Sequence, residues 1–393
     1  MRIIDKIENY ITAFFVWSGI GLLIIILIIF IVFFYIYYFL NYYKINNYKY
    51  DFNEILYKLI NHHKLEKKWI NVSGKKILIV ERKGSNKIPI IFIHGTYSAS
   101  PIFYQVISKI PKEYHCITID LPNFGISENF DEDIMKIGLG DVCSLYSDFL
   151  GKVIDELGFK KVNIVGHSLG AIFSLYLGIN RSKLINELFL VSIPGLCRSS
   201  GKYGYYSGIV FKYLLPPKIC KWEIVKRLEN PLMYFSREND LMTRFWILYT
   251  FRTNNGNDVV GRFVSKRWTN GYWKKPLLMK ILSLKCRTNL WVGEEDFFLD
   301  PYEDFFGKVS PNVSFMKFKG SYHNVFLDNK DFLGEMIKII EKKKETKIGK
   351  MGGVKKIRLC KYIFGKNNKS FPSIRQSANV INKNYEKIEF LLR

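Results

Sequence analysis

Val162-Asn163-Ile164-Val165-Gly166-His167-Ser168-Leu169-Gly170 carries a short apolar run straight into a Gly-His-Ser-Leu-Gly pentapeptide. Val162 to Val165 predicts a buried strand, and Ala171 to Gly178 predicts a helix immediately behind the pentapeptide. A G-x-S-x-G sequence at a strand-to-helix junction forms a tight, strained turn. Its glycines are required because a side chain at either would strike the neighbouring strand or helix. The turn lifts the serine Oγ above the sheet. It also sets the Leu169 N–H at a helix start, where it can stabilise an oxyanion.

Further strands and helices can be read outward from this junction. Lys68 to Val72 and Lys75 to Glu81 flank Ser73-Gly74, a hairpin signal. Ile88 to Ile93 is an apolar run ending in His94-Gly95, and His115 to Leu121 is another. Asp141 to Leu157 repeats apolar residues at helical spacing (Val142, Leu145, Phe149, Val153, Leu157) and stops at Gly158. Leu188 to Val191, Thr288 to Val292 and Val313 to Phe318 complete the strands. Strands alternating with helices predict an α/β fold: a mainly parallel sheet of about eight strands, covered on both faces.

From about Lys67 to Ile340 the chain resembles the alpha/beta-hydrolase superfamily. Phe92-Ile93-His94-Gly95 is similar to the strand end that supplies the family's second oxyanion donor. The resemblance gives that backbone N–H to Thr96, with Tyr97 as a neighbouring alternative. Asp120-Leu121-Pro122-Asn123-Phe124-Gly125-Ile126-Ser127 resembles the family's D-L-P-G-F-G-x-S loop, with Asn123 in place of a glycine. Leu290-Trp291-Val292-Gly293-Glu294-Glu295-Asp296 matches the strand that delivers the catalytic acid, and Gly320-Ser321-Tyr322-His323 matches the histidine loop. The resemblance therefore implies Ser168, Asp296 and His323 as catalytic residues, in the chain order this fold uses. Glu294 and Glu295 compete with Asp296, which fits the G-x-x-D spacing. A serine at 168 argues for acyl transfer, where an aspartate would imply a dehalogenase or an epoxide hydrolase. His323 to Asp328 also fits H-x-x-x-x-D, a resemblance to a lipase and lysophospholipid acyltransferase subgroup.

Ahead of this body, Asn9 to Tyr43 holds no charged residue, and Ile20 to Phe34 is almost purely aliphatic and aromatic. A run of that length reads as one transmembrane helix, since about 20 residues at 1.5 Å rise cross the hydrocarbon. A core helix would be shorter. A cleaved signal peptide would need an apolar core of about 7–15 residues and a small-residue cleavage site, and Tyr42-Tyr43-Lys44 is none. Six basic residues from Lys44 to Lys68 against two before the span predict a single-pass protein with a cytosolic body.

The chain has 393 residues, 48% of them apolar, which excludes a disordered protein. Six cysteines with no close pair exclude a disulfide scaffold and give no metal spacing; no phosphate-cradling loop occurs. The expectation is therefore no metal and no organic cofactor. The formal charge is +24, and it is concentrated. Residues 197–285, the usual place for a helical lid, carry 17 basic and 5 acidic residues; residues 341–393 carry 15 and 4. Nucleic-acid binding is not expected, because no reader motif accompanies the charge. Anionic membrane lipid is the expected partner, and protein partners are not indicated. The expected organisation is a short segment (1–10), an anchor (11–43), a linker (44–66), the hydrolase domain (67–340) and a basic, weakly ordered tail (341–393). The expected activity is a serine hydrolase acting on a lipid-like ester. The alternatives are an acyltransferase using the same triad, or a non-enzymatic membrane or lipid scaffold.

Overall fold

The computed structural model describes residues 3–46, 52–86, 88–96, 98–132, 134, 136–194, 274–294, 296 and 312–341. Most of the expected lid, the whole tail beyond Glu341, and Tyr97 and Glu295 lie outside these residues.

Helix α1 (Ile3–Asn46) is continuous. Its stretch Val16–Ile36 has a mean hydropathy of 3.2 and is wholly unburied, long and apolar enough to cross a membrane. Residues 44–66, expected as a linker, instead contain helix α2 (Phe52–His62), whose Ile55, Leu56, Leu59 and Ile60 are buried in the body of the protein. Burying such side chains contributes about 1.5–3 kcal/mol each before entropy costs, so α2 is part of the core and not a spacer.

Among the described residues there are eight strands, β1 (Glu66–Val72), β2 (Lys75–Arg82), β3 (Ile90–Ile93), β4 (Cys116–Ile119), β5 (Val162–His167), β6 (Ile185–Val191), β7 (Thr288–Gly293) and β8 (Val313–Phe318). They form one sheet in the order β1-β2-β4-β3-β5-β6-β7-β8. The pairs β1–β2 and β2–β4 are antiparallel, and all the others are parallel. The other α-helices among the described residues are α3 (Tyr104–Lys109), α4 (Leu139–Glu156), α5 (Leu169–Asn180), α6 (Lys274–Leu282), α7 (Val325–Asp328) and α8 (Asp331–Glu341).

The inner strands are apolar throughout because they are covered on both faces, and their alternation divides the core in two. Ile91, Ile93, Ile117, Ile119, Ile164, Leu190 and Leu290 pack with α4, α5 and α6. Ile90, Phe92, Cys116, Val165, Phe189, Val191 and Trp291 pack with α2, α3, α7 and α8. On the first face Tyr146 of α4 stacks on Phe173 of α5, ring centroids 4.1 Å apart and 7° from parallel.

This topology decides where a site can form. From β3 the chain moves outward to β4, then returns to the other side of β3 as β5. The strand order reverses there, and in an open parallel sheet the carboxyl ends of the strands at such a reversal, here β3 and β5, are the usual ligand position.

Candidate active site

Ser168 follows β5 directly and opens α5, with φ 52° and ψ −121°, a conformation costing about 1–3 kcal/mol for a residue with a side chain. The turn is held from both sides, by Ser168 N–H to the Val191 carbonyl and Ala171 N–H to the Ser168 carbonyl, each at 2.9 Å. Its glycines are sterically obligatory. A Cβ on Gly166 would lie 2.7 Å from the Gly170 carbonyl oxygen, and one on Gly170 would lie 2.4 Å from that of His94.

The end of β3 abuts this turn. Ile93 pairs in register with Gly166, and a Cβ on Gly95 would stand 2.7 Å from the Ser168 Cβ. Thr96, half-buried, follows Gly95, and Leu169 follows Ser168, so the two expected oxyanion residues sit on the two segments that abut here. His94 fixes this strand end. Its Nε2 accepts the Leu121 N–H at 3.2 Å, so its Nδ1 carries the proton and donates to the Gly95 carbonyl at 2.9 Å. Burial pushes the His94 pKa down to about 4, which keeps it neutral.

The loop after β4 closes the floor. Buried Asp120 accepts the N–H groups of Ser100 at 2.8 Å and Ile126 at 3.0 Å. Burial raises its carboxyl pKa, and the Ser100 and Ile126 N–H groups pull it back. Asn123, which stands where the family has glycine, has φ 67°, a left-handed conformation that asparagine tolerates better than most residues.

On the other side, His323 and Asp296 are both buried, with His323 Nδ1 3.0 Å from Asp296 Oδ2 and 3.2 Å from Oδ1. Gly293 makes this meeting possible, because a Cβ there would fall 2.2 Å from the Tyr322 carbonyl oxygen. The competing Glu294 is exposed and turns its carboxylate to the Gly320 N–H at 3.1 Å, away from the imidazole. His323 reaches the serine turn through His167, whose Nε2 lies 3.1 Å from the His323 carbonyl oxygen, with the two rings 4.9 Å apart. Ser168, Leu169, Thr96, His323 and Asp296 thus gather at one end of the sheet.

In the sequence, His94 and His167 read only as parts of backbone motifs. Their bonds run to main-chain atoms 27 and 156 residues away, which no local pattern announces. Asp328 ends α7, and its side chain is outside the described residues. The cysteines Cys116, Cys143 and Cys286 are buried free thiols. Burial pushes Cys116 and Cys143 up to about 12, so neither is a nucleophile near neutral pH. Among the described residues no cluster of His, Cys, Asp or Glu is arranged to hold a metal ion.

The profile of the alpha/beta hydrolase fold family matches residues 88–206. Over 104 residues the chain is 27% identical to (E)-2-((N-methylformamido)methylene)succinate hydrolase of Acinetobacter baylyi, covering 26% of this chain and 37% of that protein. A crystal structure described as a lipase candidate from Acinetobacter baumannii superposes with a TM-score of 0.58 at 18% identity, over 76% of this chain and 99% of that one. A bacterial membrane phospholipase A superposes with a TM-score of 0.58 at 14% identity, over 81% and 97%. The first curated relatives are matched over only 37–45% of their own length, while the structural likenesses establish the fold.

Proposed function

The chain belongs to the alpha/beta-hydrolase superfamily, and on that premise we propose that it is a membrane-anchored serine hydrolase cleaving a lipid-like ester. The observation that carries this reading is the strained Ser168 turn at the sheet's switch point, with the buried His323–Asp296 pair brought beside it through His167. A strained backbone set among buried polar side chains at the sheet's end is costly without a chemical use.

In this mechanism Ser168 Oγ attacks the ester carbonyl while His323 takes its proton. The carbonyl oxygen becomes an oxyanion, held by the backbone N–H groups of Leu169 and Thr96. The tetrahedral intermediate collapses, and His323 returns the proton to the leaving alcohol. Water, deprotonated by the same imidazole, then releases the acid from the acyl-enzyme. Asp296 keeps the imidazole in the required tautomer and stabilises its cation. Tight turns, not loop side chains, position the donors, so little reorganisation accompanies the reaction.

Support for a lipid-like substrate comes from α1, apolar enough to anchor the chain, and from the likeness of the fold to lipase and phospholipase structures. The basic residues from Lys44 to Lys68 favour a cytosolic body, and the charge of residues 197–285 and 341–393 favours contact with anionic lipid. The decisive experiment is labelling with a fluorophosphonate, followed by a panel of lipid esters. Labelling of the wild type that vanishes in Ser168→Ala supports the reading. An unlabelled, folded wild type that cleaves no ester overturns it.

A further inference from the structure

His167 stands out among the buried polar groups that the mechanism leaves unused. It is the residue before the nucleophile, it is almost wholly buried, and its ring lies between those of His323 at 4.9 Å and Phe326 at 5.0 Å. Nε2 faces the His323 carbonyl oxygen at 3.1 Å, while Nδ1 is buried with no hydrogen-bond partner. A carbonyl only accepts, so Nε2 carries the proton and donates it. Among the described residues no carboxylate pairs with this ring. Its surroundings are His323, Asp296 beyond it, and His94 across the turn, and burial with the His323 charge pushes its pKa down to about 3. The ring is therefore a neutral donor near neutral pH.

We propose that His167 is a positioning residue for His323: its Nε2–H, donated to the His323 main-chain carbonyl, sets where the catalytic imidazole stands relative to Ser168. The inference rests on the serine-hydrolase reading and adds to it a residue that touches neither substrate nor reacting atoms.

The geometry explains why a histidine is suited to this position. The loop carrying His323 has other ties: Gly320 N–H to Glu294, Asn329 Nδ2 to the Ser321 hydroxyl, and Leu327 N–H to the Asn324 carbonyl. Those ties hold residues on either side of His323 and bind the loop to β7 or to itself. His167 grips residue 323 itself, and from the other half of the site. Nucleophile and base are thereby joined by one peptide unit and one hydrogen bond. An apolar side chain would fill the space against Phe326 but supply no donor. A lysine or arginine would bring a charge into a site that burial makes hostile to it. A small displacement of the base matters, because misplacement by about 1 Å costs roughly 100-fold in rate.

The test compares His167→Phe, which keeps the ring and loses the donor, with His167→Gln, whose amide nitrogen can stand where Nε2 stood. Both are made in the full-length protein and assayed on a short-chain chromogenic ester. His167→Phe should lower kcat roughly 10- to 100-fold with KM within about twofold, and His167→Gln should recover much of the loss. The acid limb of kcat/KM should also move in His167→Phe and return in His167→Gln, which loss of stability alone would not do. A readout independent of turnover is the far-downfield proton resonance of His323 Nδ1 in its Asp296 pair, which should shift in His167→Phe. If His167→Phe does not fold, His167→Met takes its place. Wild-type kcat, pH profile and proton resonance in the donor-less variant would overturn the proposal. Failure of the wild type to be labelled at Ser168 would instead overturn the catalytic reading, and the resonance would still report whether His167 positions the imidazole.

Discussion

His94 accepts the main-chain N–H of Leu121 through Nε2, at 3.2 Å, and so binds the end of β3 to the loop that follows β4. An imidazole that must accept cannot be protonated without breaking that tie. His94 and His167 titrate at about 4 and about 3 in the fold, lowered chiefly by burial, against 6.5 for an ordinary histidine. The unfolded chain therefore binds protons that the native one refuses. Their contribution is complete above about pH 6.5 and is lost as pH falls toward 4 and then 3, at about 1.4 kcal/mol per pH unit for each histidine. Urea unfolding between pH 7 and pH 4.5 should show this slope, and His94→Gln should flatten it. An unchanged slope would mean that His94 is protonated in the native state.

Gly293 should be intolerant of any side chain, since a Cβ would meet the carbonyl oxygens of Tyr322 at 2.2 Å and Ser321 at 2.3 Å. Gly293→Ala must push the histidine loop off β7, and ester turnover should fall by 10-fold or more. Gly334, on α8, has nothing within 4 Å of its would-be Cβ. Gly334→Ala should leave turnover alone and raise stability by about 0.5–1 kcal/mol, read as a higher melting temperature. Equal effects of the two substitutions would refute the steric argument.

The acid of the proposed triad can be separated from its neighbour by two isosteric changes. Asp296→Asn should cost several powers of ten in kcat, because the amide no longer holds the imidazole tautomer. Glu294→Gln should be mild, since its side chain faces the Gly320 N–H at 3.1 Å. Comparable losses in kcat from both would reassign the acid.

Helix α2 yields a stability prediction with no catalytic content. Leu59 is 1% exposed, so Leu59→Ala should destabilise the protein by about 2–5 kcal/mol in chemical unfolding. A change below about 0.5 kcal/mol would mean that α2 is not docked in solution.

The parts of the fold legible in sequence were those whose burial leaves a continuous apolar run, such as Ile90 to Ile93 and Leu188 to Val191. Helix α2 was hidden by its outer face. Glu54, Lys58, Asn61 and His62 made residues 44–66 read as a solvated linker, although Ile55, Leu56, Leu59 and Ile60 recur at helical spacing. The antiparallel placement of β2 against β4 was equally hidden, because pairing is decided by topology and not by local pattern. In the site, the turn around Ser168 was readable from five residues, since its glycines are dictated by contacts within that turn and with the end of β3. The supporting roles of His94 and His167 were not, because a hydrogen bond to a main-chain atom leaves no mark on the partner's identity.

The docking of α2 has a kinetic corollary. Asn46, the last residue of α1, and Phe52, the first of α2, are six peptide steps apart, at most about 22 Å of contour. Because α2 cannot leave the body without exposing four buried side chains, the reach of the folded body from α1 is bounded by this short contour. On the proposed reading, with α1 in a bilayer and a lipid-like ester as substrate, the body would meet that substrate by lateral travel. Its saturation curve should then follow the mole fraction of substrate in the surface, and adding inert lipid at constant bulk substrate should slow it by dilution in two dimensions.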